Sequence, residues 1–184
     1  MGIRKRREER REERREFGIG GDATMYQMRQ KLVSVGGDFW IEDGDGERAY
    51  HVNGKALKIR RTLDLEDASG TVLCRIQTRV LHLRDTMVIE RLDGQQMAKV
   101  HKALITPLRE RWKVDVEDGA DIDIQGNIVD HEYEFEIDGK KCAEVSKKWF
   151  RVRDTYGIQV SPDINPVLPL AVAVALDAMT GPGD

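Results

Sequence analysis

The chain has 184 residues, 34% of them Asp, Glu, Lys or Arg, and a net charge of only −3, which fits one domain able to bury roughly 70% of the surface its unfolded chain exposes. Residues 1–24 hold eight Lys/Arg and six Asp/Glu, leaving 22 basic and 27 acidic residues beyond them, a mildly acidic balance that argues against nucleic acid as a partner. Cys74 and Cys142 give neither a disulfide framework nor metal-ligand spacing, and the charged start has no apolar signal stretch, so the expected location is cytoplasmic.

The first element is a leader over 1–24. Arg6-Arg7-Glu8-Glu9-Arg10-Arg11-Glu12-Glu13-Arg14-Arg15 pairs opposite charges at i,i+3 but like charges at i,i+4, and each pair is worth only ~0.2–0.5 kcal/mol. A frayed, solvated helix or disorder is expected there, followed by a glycine-rich linker at 17–22.

From Met25 to about Val160 the period is two. Tyr133, Phe135 and Ile137 alternate with Glu132, Glu134 and Glu136, and Trp112, Val114 and Val116 alternate with Lys113, Asp115 and Glu117. Such alternation marks strands with one buried face. Turn signals separate them at Gly36-Gly37, Asp43-Gly44, Asn53-Gly54, Asp93-Gly94, Asp118-Gly119, Gln125-Gly126 and Asp138-Gly139. A template also recurs: Cys74-Arg75-Ile76, Ala98-Lys99-Val100 and Ala143-Glu144-Val145, with Arg84 and Arg153 each ten residues after Cys74 and Ala143. About twelve strands fit the spacing.

The last element, 167–179, is apolar on every face after Pro169 and stops before Gly181-Pro182. It is too short to cross a bilayer core, which takes roughly 17–25 residues, so it must be buried in protein. A mainly β fold satisfies both halves: a closed barrel of about twelve strands around a buried apolar C-terminal α-helix, spanning 25–180, with Ala171, Ala173 and Ala175 keeping the helix thin.

Several segments together resemble the LURP-one-related family: Tyr26–Lys31, Phe39-Trp40-Ile41, Asn53-Gly54-Lys55, Ala143–Lys148 and Asp154–Ile158 before an apolar helix. The resemblance covers roughly 25–180. It implies a tubby-like barrel, similar to the tubby C-terminal domain and to phospholipid scramblases, and through them an association with phosphoinositides and membranes.

Apolar residues sit beside cations at Lys31-Leu32-Val33, Arg79–Arg84, Lys102–Ile105 and Lys147–Arg153. The last segment is the candidate lipid-binding site: Lys147, Lys148, Arg151 and Arg153 to meet phosphates, Trp149 and Phe150 to enter the head-group layer. The bland alternative makes all four ordinary strand ends. The sequence offers no catalytic residues, metal site or cofactor. His51, His82, His101 and His131 are scattered, and Asp43-Gly44-Asp45-Gly46-Glu47 lacks the glycine and glutamate of a calcium loop. Asp154 and Asp163 occupy the place of the scramblase calcium segment, but Val152 and Ser161 leave it short of oxygen ligands. The expected function is a non-enzymatic binding module for anionic phospholipids, peripheral at a membrane. A soluble scaffold that engages a protein partner through the leader is the alternative, and a hydrolase with a groove site is a weaker third.

Overall fold

The computed structural model describes residues 22–29, 38–54, 62–78, 86–103, 111–150 and 155–180. Among these run β1 Thr24–Arg29, β2 Phe39–Asp43, β3 Arg48–Gly54, β4 Thr62–Asp67, β5 Val72–Thr78 and β6 Thr86–Glu90. Then come β7 Gln96–Lys102, β8 Arg111–Val116, β9 Ile122–Asn127, β10 Glu132–Ile137, β11 Lys140–Ser146 and β12 Thr155–Val160, and a helix, α1, over Val167–Thr180. Each strand pairs antiparallel with its chain neighbours, and β1 pairs with β12, closing a twelve-stranded up-and-down barrel. Closure leaves no free sheet edge. Residues 1–21, which make up almost all of the leader, lie outside the described residues.

Eight strands enclose only enough room for their own side chains; twelve leave an axial space. The helix occupies it, with Pro169 through Met179 all buried. Period-two alternation aims Ile41, Val52, Leu65, Ile76, Ile89, Val100, Val114, Phe135 and Val145 at it, each at most 1% exposed. Full burial of each such side chain contributes about 1.5–3 kcal/mol. Asn165 Oδ1 accepts from the Val167 amide at 3.0 Å and caps the helix start.

The repeat has a structural meaning. Four hairpins shift register at a glutamate that follows an inward apolar residue: Ile41/Glu42, Leu65/Glu66, Ile89/Glu90 and Phe135/Glu136. Opposite those apolar residues stand Tyr50, Cys74, Ala98 and Ala143. The three small ones are the recurring template positions. The helix lies nearest β5, β6 and β7, where Cys74 and Ala98 let it approach. Tyr50, in the fourth copy, fills the wall the helix leaves. In the first three hairpins a left-handed glycine completes the turn, Gly46, Gly70 and Gly94 at φ 84–87°, the usual closure after a type I turn.

Two expected turns are not turns. Asn53-Gly54 ends β3, and Gln125-Gly126 lies inside β9. A Cβ on Gly126 would sit 2.6 Å from Tyr133 Cα across the ladder, so the glycine there answers a close backbone approach between strands.

Placing a carboxylate on the helix face at Ala173, which is fully buried, should cost more than about 3 kcal/mol. Urea unfolding of Ala173→Asp measures it; a midpoint equal to that of the parent protein would show that the helix is peripheral.

Candidate functional site

The sequence-derived site falls on the connection from β11 to β12. Residues 147–150 form a tight turn in which the Phe150 amide donates to the Lys147 carbonyl at 3.1 Å. Glu132 anchors it. Its carboxylate accepts from the Ser146 hydroxyl at 3.0 Å, from the Lys147 amide at 3.1 Å and from Lys148 Nζ at 3.0 Å. Lys148 is otherwise in solvent, 81% exposed. Arg151 and Arg153 lie outside the described residues.

Trp149 and Phe150 are half-buried rather than projecting. They lie over Gly157, on the outward side of β12. A Cβ at Gly157 would meet Phe150 Cε2 at 2.6 Å, Trp149 Cε3 at 2.8 Å and Met25 Sδ at 3.0 Å. This packing covers a strand that is buried on both faces, including outward-facing Thr155 and Gln159 at 2% and 3% exposure. Lys147, Lys148, Trp149 and Phe150 are therefore brought together, the aromatics against the wall and an exposed lysine beside them.

Antiparallel neighbour pairing sends every odd-numbered strand to the same rim. The six segments that follow odd strands carry twelve Lys/Arg and five Asp/Glu. The six that follow even strands carry one and eight. All four basic–apolar segments seen in the sequence fall in the chain after odd-numbered strands, or at their ends, and of these 31–33, 79–84, 104–105 and 151–153 lie outside the described residues.

Sequence reading missed a buried polar cluster near that rim. Asp177 on α1, 4% exposed, accepts from His131 Nε2 at 2.8 Å and from the Tyr156 hydroxyl at 2.5 Å. The His131 and Tyr156 rings lie 4.3 Å apart between centroids. His131 adopts a left-handed φ of 55° in the turn from β9 to β10, which aims its ring inward. Its Nδ1 and the Tyr133 hydroxyl are buried with no hydrogen-bond partner among the described residues. The one signal available was a lone aspartate in a segment otherwise apolar all round, and it has meaning only beside its partners.

A His–Asp pair invites a catalytic interpretation, and its surroundings do not favour one. His131 is 2% exposed, and burial holds the Tyr133 and Tyr156 phenols well above their ordinary range. Burial likewise pushes the Cys74 thiol up to about 12 and Cys142 up to about 11, away from the thiolate a nucleophile needs. The other described histidines stand apart on the outer wall: His51 binds Glu66 at 3.0 Å beneath Trp40, and His101 binds Asp115 at 3.2 Å. His82 lies outside the described residues.

Comparison with known proteins gives three findings. The LURP-one-related family profile matches residues 24–177. The solved structure of an Arabidopsis thaliana protein, AT5G01750, is similar with a TM-score of 0.62 at 16% identity, over 84% of this chain and 89% of that one. At that identity the likeness is one of fold. A search of curated proteins returned no match.

Two substitutions test these contacts. Gly157→Ala should dislodge Trp149 and Phe150, shifting tryptophan emission to the red and costing about 1–3 kcal/mol as an overpacking change; unchanged emission would deny the packing. His131→Ala leaves Asp177 buried with one partner fewer and should cost about 3–5 kcal/mol in urea unfolding.

Proposed function

Because the chain belongs to the LURP-one-related family, whose profile spans nearly the whole barrel, we propose that it is a non-enzymatic module that meets anionic phospholipid head groups with its odd-strand rim. The observation that carries this reading is the order of charge along the chain: twelve cations against five acids in the connections that follow odd strands, one against eight in those that follow even strands. A cation near an anionic leaflet gains about 1 kcal/mol, screened beyond a Debye length, so a net excess of seven in the odd-strand connections is worth far more than an overall charge of −3 suggests. Lys148 supplies an exposed ammonium, and Trp149 beside it keeps part of its indole, a ring suited to a head-group boundary, in solvent. Attachment of this kind is peripheral. Among the described residues no helix is long and apolar enough to cross a membrane. The raised thiols and the enclosed His131–Asp177 pair support a binding role over a catalytic one.

Vesicle co-sedimentation tests the proposal. Vesicles containing phosphatidylserine or a phosphoinositide should retain the protein, neutral phosphatidylcholine vesicles should not, and raised salt should release it. Lys147→Glu combined with Lys148→Glu should weaken retention by more than about tenfold. Equal behaviour on neutral and anionic vesicles would sink the lipid reading and leave a protein-interaction scaffold.

A further inference from the structure

The opposite rim holds a cleft of different chemistry. Pairing sets Tyr26 of β1 against Asp43 of β2, and Tyr50 of β3 against Asp67 of β4. Two aromatic–carboxylate pairs thus stand side by side on adjacent strands. Between them opens a cleft of about 520 Å³ whose walls also include Thr24 and Ser69, within the size range of small-ligand sites. Its origin lies in the packing. The helix leans toward β5, β6 and β7, and Tyr50 occupies the slot that three other hairpins fill with Cys or Ala. The Tyr26 and Tyr50 rings meet edge to face with centroids 5.8 Å apart.

The two carboxylates are held in place by their own turns. Asp43 Oδ1 accepts from the Asp45 and Glu47 amides at 2.9 and 3.0 Å. Asp67 Oδ1 accepts from the Ser69 and Thr71 amides at 2.8 and 2.9 Å. In both, Oδ2 has no partner among the described residues. The Ser69 hydroxyl, with those amides, holds the Asp67 carboxyl below its ordinary range, so it stays ionised. Among the described residues no Lys or Arg lines the cleft, and the turns of its rim carry eight acids against Arg91 alone.

We propose that this cleft binds a guanidinium or ammonium group, seated on the Tyr26 and Tyr50 rings and paired with Asp43 and Asp67. A cation over tyrosine gains from the ring quadrupole, more so when partly desolvated, and the two free carboxylate oxygens supply the charge-assisted acceptors. Two sources offer such a group. One is the chain itself: Arg4-Lys5-Arg6-Arg7 lies upstream of Thr24, which lines the cleft, and the sixteen residues between Arg7 and Thr24 reach roughly 50 Å when extended. The other is an arginine- or lysine-bearing ligand supplied from outside.

The test titrates a labelled, end-blocked Arg-Lys-Arg-Arg peptide into the full chain and into a full chain with Arg4, Lys5, Arg6 and Arg7 changed to Gln, following anisotropy. The cleft reading expects binding to the neutral-leader chain that falls at least tenfold in Asp43→Asn/Asp67→Asn, where asparagine keeps the turn-capping oxygen. It also expects a similar fall in Tyr50→Leu, which removes a ring and no charge. Asp118→Asn/Asp138→Asn takes the same charge from the same rim and should leave binding within twofold. A parent chain that binds at least tenfold more weakly than its neutral-leader form identifies the leader as the occupant; equal binding identifies an outside ligand. Absence of binding to both chains, or an equal loss in the Asp118/Asp138 control, overturns the cleft and leaves only diffuse rim charge.

Discussion

A helix with no polar face has to be enclosed on every side, and the rest of this structure follows from that constraint. One sheet surface covers only one side of a helix. A sheet closed on itself covers them all, but only when it has enough strands to leave an axial space. Twelve strands do so, and the fit is then set residue by residue. Cys74, Ala98 and Ala143 recede while Ile76, Val100 and Val145 advance, and on the helix Ala171, Ala173 and Ala175 alternate with Val172, Val174 and Leu176. All are at most 1% exposed. Interiors are close-packed, so the helix cannot be equidistant from a wall made of unequal side chains. It leans toward the small residues, and the tyrosines of β1 and β3 take up the remaining space.

The helix also brings an electrostatic direction. Six residues separate its start from the end of β12, at the acidic rim, and its last turn reaches His131, at the opposite rim. The positive end of its dipole therefore faces acidic turns, the favourable sense. Asp177 is the exception, a carboxylate in the final turn where the dipole disfavours it. Two donors answer that cost, His131 Nε2 and the Tyr156 hydroxyl. They come from the β9–β10 turn and from β12, so the same contacts fix the rotation and depth of the helix against the wall. A charge that would be unfavourable alone becomes a registration mark because its partners are distant in sequence.

Legibility in the sequence divides along the same line. Strand alternation at 132–137, the small-residue template at Cys74, Ala98 and Ala143, and the unbroken apolarity of 170–176 are local signals, and they were enough to specify a barrel around a helix. The repeat was wider than it looked, since β2–β3 shares its bulge but carries Tyr50 where the others carry a small residue. Gly126 was read as a turn because a glycine marks both turns and close strand approach, and only the register with Tyr133 separates them. The contacts of the candidate site were not readable at all. Nothing near Gly157 announces Trp149 and Phe150, nothing near Lys148 announces Glu132, and Asp177 lies 46 residues from His131. Each depends on strands becoming neighbours.

The charge pattern shows how topology turns a weak linear signal into a strong spatial one. Along the chain, basic connections and acidic turns merely alternate, and their charges cancel to a small total. In an up-and-down barrel that alternation is sorted, because each reversal of direction sends successive connections to opposite ends. Strands of five to seven residues, rising about 3.3 Å per residue with a barrel tilt, separate the rims by roughly 15 Å. That exceeds the ~8 Å screening length of physiological salt, so neither end cancels the other in solution. A partner approaching along the barrel axis meets one rim's charge and not the net charge of the molecule. Two surfaces of opposite preference can thus coexist on one small domain, and a barrel held at an anionic surface by one rim would carry its acidic cleft on the side turned away.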